Sequence, residues 1–483
     1  MTKQTRDTLE RPPVVVVVGH VDHGKTALLD YIRKTNIVTR EAGGITQSIG
    51  AYEAEHNDRR ITFIDTPGHE AFSQMRAYGA QAADLAILVV AAEEGVKPQT
   101  KEAIETLKRS ETPYIVAITK VDKPEANIEK VKSDLLSHEV LLEGMGGDVS
   151  YQPISSKTGE GIDDLLDLVL LMSDVLELRY DPHARARGFV IESCRNSRRG
   201  IEAHVIVTDG MLRQGEDIVT ITAKGKIKAL EDFAGKRAKE LYPSAPALII
   251  GFETMPRVGE VFVLGDVGLL EAPSSEHSAQ VPAKPQETHL SKTEAKVEHG
   301  VNVVLKADSS GSAEALQQLV QPFAHVVECS VGDISDGEVQ QAISTGSVIL
   351  GFHVKTNKAA MNLAKIHNIP VFTSNIIYAL IDELRSHIKT VSGPCYIGTL
   401  KVLKVFGKKE GRRIIGGVVS DGCIRNAVEI TIFRAEKEIG TGKIVNLQRE
   451  KDDVQEVSEG KECGLLLDTK AEVQEGDLLK MAE

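Results

Sequence analysis

At 483 residues the chain is too long for one hydrophobic core, and about three to five domains are expected. Charged residues make up 26% and hydrophobic ones 41%, as in globular proteins, and no apolar run is long enough to cross a membrane. The net charge of −13 excludes a protein that coats nucleic acid indiscriminately; RNA contact would be local, through patches such as Lys404, Lys408, Lys409, Arg412 and Arg413, which by charge alone read as a solvated hairpin.

Residues 1–11 are polar, lack a signal peptide's apolar stretch and read as a disordered tail. Cys194, Cys329, Cys395, Cys423 and Cys463 are scattered with no C-x-x-C pair, which argues against a disulfide framework or zinc site and fits a reducing cytoplasm. From 12 to 180, buried strands alternate with helices. Strands read at Val14–Val18, Ile61–Ile64, Leu85–Val90, Tyr114–Ile118 and Tyr151–Ile154, and helices at Glu70–Ala82, Glu102–Arg109 and Ile162–Leu178. That alternation predicts a doubly wound parallel sheet that binds its ligand at the strand carboxyl ends.

Residues 181–270 change to short β-rich runs with turn dipeptides, which predicts a small antiparallel barrel. Residues 271–298 are rich in Ser, Pro, Ala, Lys and Glu and read as a linker. Residues 299–375 form a second α/β pattern, a compact sandwich, and 376–392 a helix that leads to a second β-rich region, 393–483. The run Val207-Thr208-Asp209-Gly210-Met211-Leu212-Arg213 matches Val419-Ser420-Asp421-Gly422-Cys423-Ile424-Arg425, so two barrels of one type are expected. The plain alternative is that Asp-Gly turns recur in any β protein.

Gly19-His20-Val21-Asp22-His23-Gly24-Lys25-Thr26 follows the five-valine strand and opens a helix. In that context the G-x-x-x-x-G-K-T pattern is a phosphate cradle. Its glycines let backbone N–H groups crowd an anion, Lys25 reaches the β- and γ-phosphates, and Thr26 offers a hydroxyl to Mg²⁺. Asp65, ending the next hydrophobic strand, can hold Mg²⁺ through water; Gly68 can contact a γ-phosphate and lose it on hydrolysis; Thr46, in a polar, strand-poor segment, can close over the metal. Thr119-Lys120-Val121-Asp122 follows a third strand, and the Asp122 carboxylate can accept from guanine N1 and N2, a donor pair adenine lacks. Ser155-Ser156-Lys157 completes the base pocket. Singly, the Asp65 stretch reads as well as a turn and the Asp122 stretch as a helix cap; all of them in this order point to a GTPase domain. His69 either faces solvent at a helix start or orients the attacking water, and Val21 and Ile45 either pack or form an apolar gate that restrains it.

These residues carry a resemblance. Gly-His-Val-Asp-His-Gly-Lys-Thr with Asp-Thr-Pro-Gly-His resembles the translational GTPases. Within them, Gly43-Gly44-Ile45-Thr46-Gln47, Glu70-Ala71-Phe72 with Met75-Arg76-Ala77, Leu305-Lys306-Ala307-Asp308, Ile349-Leu350-Gly351-Phe352 and Glu462-Cys463-Gly464 are similar to bacterial-type translation initiation factor two. The resemblance covers essentially Pro12 to the C-terminus, the linker excepted. It implies a cytoplasmic monomer that uses GTP and Mg²⁺, hydrolyses GTP to GDP when the ribosome triggers it, and has no membrane partner. It implies as partners both ribosomal subunits, formylmethionyl initiator tRNA and other initiation factors. The last barrel, through Arg449, Cys463 and Gly464, would hold the tRNA's formylmethionyl end, and the 376–392 helix would couple it to the first domain. The family's usual Asn is Thr119 here, so a weakened base contact is expected. Gly417 stands where the family often has Cys and Glu450 where it often has an aromatic; the family's long N-terminal extension has no counterpart. An elongation-type aminoacyl-tRNA carrier suits the two barrels but not the α/β third domain. A GTP-gated ribosome-binding module with dispensable hydrolysis is equally compatible with the site.

Overall fold

A computed structural model of the chain describes residues 8–33, 50–68, 70–265, 301–392, 396–409, 412–435, 437–449 and 452–482. Contacts divide it into two compact units, Met1–Ile381 and Asp382–Glu483. No helix among the described residues is long and apolar enough to cross a membrane.

In the first unit, β1 (Leu9–Glu10) precedes β2 (Val14–Gly19), α1 (Lys25–Arg33), β3 (Gly50–His56), β4 (Arg59–Asp65), α2 (Ser73–Ala82), β5 (Leu85–Ala91), α3 (Pro98–Ser110), β6 (Tyr114–Thr119), α4 (Ile128–Ser137), β7 (Tyr151–Pro153), α5 (Ile162–Val175) and β8 (Arg179–Tyr180). The sheet runs β3-β4-β2-β5-β6-β7, parallel except for the edge strand β3. All five valines of β2 are buried, because helices cover both faces of a parallel sheet. Each contributes about 1.5–3 kcal/mol relative to exposure. Strand order reverses about β2, and the crevice beyond its carboxyl end is where such a sheet takes ligands.

Several elements differ from the sequence reading. The tail is not wholly outside the fold: Leu9–Glu10 pairs with Arg179–Tyr180, and Arg11 makes a bidentate pair with Asp84 at 2.6 and 2.5 Å. The helix expected from Glu102 begins at Pro98, a residue suited to a first helical position because its missing N–H would have no partner there. The segment read as strand-poor contains β3, and α4 was not expected. The helix expected over Glu70–Ala82 opens with a 3₁₀ turn, Glu70–Phe72.

A closed barrel follows, built from β9 (Arg187–Asn196), β10 (Gly200–Asp209), β12 (Asp217–Val219), β13 (Lys224–Asp232), β15 (Pro246–Phe252) and β16 (Val261–Leu264). The short strands β11 (Leu212–Arg213) and β14 (Glu240–Leu241) form a side sheet. The ring runs β10-β15-β13-β12-β16-β9. Ser244 joins it to the first sheet: its carbonyl accepts from Thr62 Oγ1 at 2.6 Å, and its hydroxyl donates to the Pro12 carbonyl at 2.5 Å.

The third layer has β17 (Asn302–Ala307), α6 (Ser310–Val320), β18 (His325–Val331), α7 (Asp336–Thr345), β19 (Val348–Phe352), α8 (Lys358–Ile366) and β20 (Val371–Ser374), with a parallel sheet ordered β18-β17-β19-β20. Lys306 is buried within it and held by Glu338 Oε1 at 2.9 Å and Ser330 Oγ at 3.1 Å. Helix α2 of the first sheet is enclosed by both later domains. A Cβ on Gly311 of α6 would collide with Met75 Cε, and one on Gly259, before β16, with the Tyr78 ring. The helix α9 (Ile377–Ser392) runs from the first unit into the second.

The second unit holds β21 (Tyr396–Lys409), β22 (Arg412–Arg425), β23 (Glu429–Arg434), β24 (Lys437–Arg449), β25 (Asp452–Asp453), β26 (Glu456–Ser458), β27 (Glu462–Thr469) and β28 (Leu478–Ala482). Its ring, β22-β27-β24-β23-β28-β21, closes by the β21–β22 pairing and repeats the first barrel's order strand for strand. Gly210 and Gly422, equivalent in the matching heptapeptides, have φ of 66° and 65°. At each, a Cβ would press on backbone, that of Ala184–Ala186 or of Ile397. The repeat is therefore structural. The expected linker, 271–298, lies outside the described residues.

Candidate functional site

The loop between β2 and α1 is shaped by residues that tolerate unusual backbone. Gly19 has φ +149°, Asp22 62° and Gly24 +93°, and a Cβ at Gly19 would strike the Val89 carbonyl of β5. Lys25 is 6% exposed, and its ammonium donates to the carbonyls of Gly19 (3.0 Å) and His20 (2.7 Å). Burial lowers its pKa to about 8, against the pull of Asp65. Thr26 lies in the first turn of α1.

His23 is fully buried. Its Nδ1 accepts from the Ala91 N–H at 3.3 Å, and its ring meets that of His20 edge to face, centroids 4.9 Å apart. Burial lowers His23 to about 4 and also lowers His20, so both imidazoles are neutral at pH 7. Val21 N–H donates to Gln99 Oε1 of α3 at 2.9 Å.

Asp65 ends β4 and is 8% exposed; Thr66 beside it donates to the Val17 carbonyl at 2.9 Å. Gly68 lies against the loop, since a Cβ there would stand 2.5 Å from Lys25 Nζ and 3.2 Å from Val21 Cγ2. Arg76, 2% exposed, donates to the Pro67 carbonyl at 3.1 Å and pairs with Glu102 at 2.6 Å. His69, Ile45 and Thr46 lie outside the described residues.

At the ends of β6 and β7 two further loops meet. Asp122 Oδ1 accepts from Ser155 Oγ at 2.6 Å, and this hydrogen bond, with Lys157 nearby, lowers the carboxyl's pKa. Ser155 Oγ also accepts from Thr158 N–H at 3.2 Å. Ser156 is half-buried and Lys157 exposed. Lys120 has φ 61°, and its ammonium shares Glu93 with Lys123 at 2.5 and 2.7 Å. Thr119 is 1% exposed, and its hydroxyl donates to the His23 carbonyl at 2.5 Å.

The structure thus gathers Gly19 to Thr26, Asp65, Gly68, Thr119 to Asp122 and Ser155 to Lys157 at the carboxyl edge of one sheet. Sequence reasoning missed Gln99, Glu93 and the Arg76–Glu102 pair, which stand behind the loops. The signal for Gln99 was Pro98, which marks the start of α3. Tyr31 of α1 was missed as well: its hydroxyl fills the space beside Gly159, so that a Cβ there would collide with it.

In the second barrel Gln448 of β24 pairs with Gly464 of β27, which brings Arg449 alongside Gly464. The space above Gly464 is open. Cys463 points the other way: it is 6% exposed, packs in the barrel core, and burial raises its pKa to about 11. Its side chain therefore serves packing, and of the pair only Gly464 faces outward. Gly417, opposite Cys463, has no room for a Cβ, because Leu400 and the Lys401 carbonyl fill it. Glu450 lies outside the described residues.

Residues 10–174 match the family described as Elongation factor Tu GTP binding domain, 185–265 Elongation factor G domain 2, and 275–385 Translation-initiation factor 2. The chain is similar to the Translation initiation factor IF-2 of a Nitratiruptor species, at 40% identity over 98% of this chain and 58% of that protein. It is similar also to the Translation initiation factor IF-2 of Rubrobacter xylanophilus, at 39% identity over 99% of this chain and 72% of that protein. The chain thus spans little more than half the length of the first of these relatives. A crystal structure of GDP-bound aIF5B from Aeropyrum pernix is similar at 26% identity, with a TM-score of 0.43, over 98% of this chain and 92% of that one. With near-complete alignment to relatives of that name, and its third layer matched by their own domain family, the chain belongs to the translation initiation factor IF-2 family.

Proposed function

We propose that the chain is a GTP-dependent translation initiation factor that binds formylmethionyl initiator tRNA, promotes its placement on the small ribosomal subunit and subunit joining, and hydrolyses GTP when assembled ribosomes trigger it. The observation that carries the reading is the convergence, at one sheet edge, of the Lys25 loop, the Asp65–Gly68 loop and the Asp122–Ser155 pair. Lys25 supplies positive charge where β- and γ-phosphates would lie, and the N-terminus of α1 adds its partial charge. Asp122, held ionised and oriented by Ser155, accepts from the two guanine donors. Gly68, in contact with Val21, supplies the γ-side N–H.

The donor set suits Mg²⁺. Thr26 and Asp65 offer hard oxygens, one of them a carboxylate, and phosphate oxygens of the substrate complete such a site. When bound, the metal neutralises developing phosphate charge. Hydrolysis needs an oriented water, the role we assign to His69, with Val21 and Ile45 as the apolar gate. In the last barrel, Arg449 and Gly464 border the surface we assign to the tRNA's formylmethionyl end.

The test measures GTP turnover by the protein alone and with assembled ribosomes, and affinity for formylated against unformylated initiator tRNA. Negligible turnover alone, strong ribosomal stimulation and preference for the formylated tRNA are expected. Equal turnover in both conditions overturns the triggering assignment; absence of discrimination overturns the tRNA assignment. His69→Ala should retain GTP binding and lose most of the stimulated turnover.

A further inference from the structure

We propose that Gln99 is a positioning residue of the phosphate loop, and that the first turns of α3 join that loop to the Asp65–Gly68 loop in a closed ring. The inference rests on the guanine-nucleotide reading of the site and goes beyond it. The ring can be followed atom by atom. Gln99 Oε1 accepts from Val21 N–H at 2.9 Å. Val21 abuts Gly68, whose neighbour Pro67 presents its carbonyl to Arg76 at 3.1 Å. Arg76 returns to α3 through Glu102 at 2.6 Å. Gln99 and Glu102 are three residues apart and so share one helix face.

The chemistry of each member fits this role. Gln99 is an amide, so it serves a backbone donor without adding negative charge beside a phosphate site. A carboxylate at that position would accept the same hydrogen bond and repel the ligand. Arg76 is fully buried, so its charge needs Glu102, and the pair fixes Pro67 firmly. Val21 turns its side chain towards Gly68, the side of the loop assigned above to the γ-phosphate. Anchoring Val21 therefore acts on GTP more than on GDP.

Gln99→Met keeps the side-chain volume and removes the acceptor. It is expected to speed release of a fluorescent GTP analogue by about 3- to 10-fold, the loss of one hydrogen bond, with a smaller effect on the GDP analogue. The ratio of the two release rates is the readout that a merely structural role would not move, and thermal midpoints are measured alongside. Glu102→Gln opens the same ring from the other side, so the double variant should be less than multiplicative. Unchanged release rates in Gln99→Met, or equal acceleration for both nucleotides, overturns the proposal while leaving nucleotide binding intact. A wild-type protein that retains neither analogue overturns both the guanine reading and the proposal.

Discussion

The hydroxyl of Thr119 donates to the main-chain carbonyl of His23, across the loops that follow β6 and β2. Thr119 is buried, so its hydroxyl braces the start of the Thr119–Asp122 stretch against the phosphate loop. The absence of the family's usual Asn therefore leaves the brace in place. Thr119→Val keeps the shape and deletes the donor. We expect guanine-nucleotide affinity to fall by about 2- to 10-fold in an equilibrium titration with fluorescent GDP. Unaltered affinity would mean that the two loops hold their spacing without this bond.

Asp122 sits where its partner Ser155 fixes one oxygen. In Asp122→Asn the amide oxygen still accepts from Ser155, so the loop should keep its form while the base contact inverts. Competition binding should show preference moving from guanosine to xanthosine triphosphate. A preference left with guanosine would remove Asp122 from the base pocket.

Glu192 of β9 lies beneath the bridge between Cys194 and Ser309, where the first barrel meets the α/β layer. Burial raises its pKa from 4.5 to about 7; the Ser309 hydrogen bond opposes this and Asp308 adds to it. Because the folded value lies above the unfolded one, the protonated form is favoured on folding. Its contribution is complete below about pH 4.5 and is lost as pH rises through 7. Glu192→Gln should thus be more stable than wild type at pH 8, by on the order of 2–3 kcal/mol, and match it near pH 4.5. Denaturant melts at the two pH values decide this, and parallel curves for the two proteins would refute it.

Gly259 packs on the ring of Tyr78 with φ +83°. Gly259→Ala must strain its backbone and displace the ring. We expect a loss on the order of 1–3 kcal/mol in denaturant unfolding, together with greater solvent exposure of Tyr78 by fluorescence quenching. Wild-type stability with an unmoved Tyr78 would show that the α2 contact yields freely.

The phosphate loop was legible because glycine spacing and a buried valine run leave the backbone few choices. The shared barrel order was legible from the heptapeptide repeat, since the Asp-Gly turn needs a left-handed glycine in both copies. Edge strand β3 was not: half-exposed Gly-Ala-Tyr-Glu-Ala-Glu-His carries too weak an alternation, and only pairing with β4 fixes it. Cys463 looked like a ligand contact from its motif, yet strand parity turns it into the core and Gly464 outward. Gln99 was hidden because its partner is a main-chain N–H far away in sequence, and Arg76 because its ion pair with Glu102 joins two different helices; composition and periodicity report neither.

The buried, neutral imidazole of His23 leaves its part of the phosphate loop uncharged as the surroundings acidify. With His23 held at about 4, surroundings drifting from about pH 7.5 towards 6 add no charge to it, although free histidines elsewhere would titrate over that span. Lys25, at about 8, points the sensitivity in the opposite direction, towards alkali. Acidification over that span thus leaves the charge on His23 as it is, whereas alkali withdraws charge at Lys25.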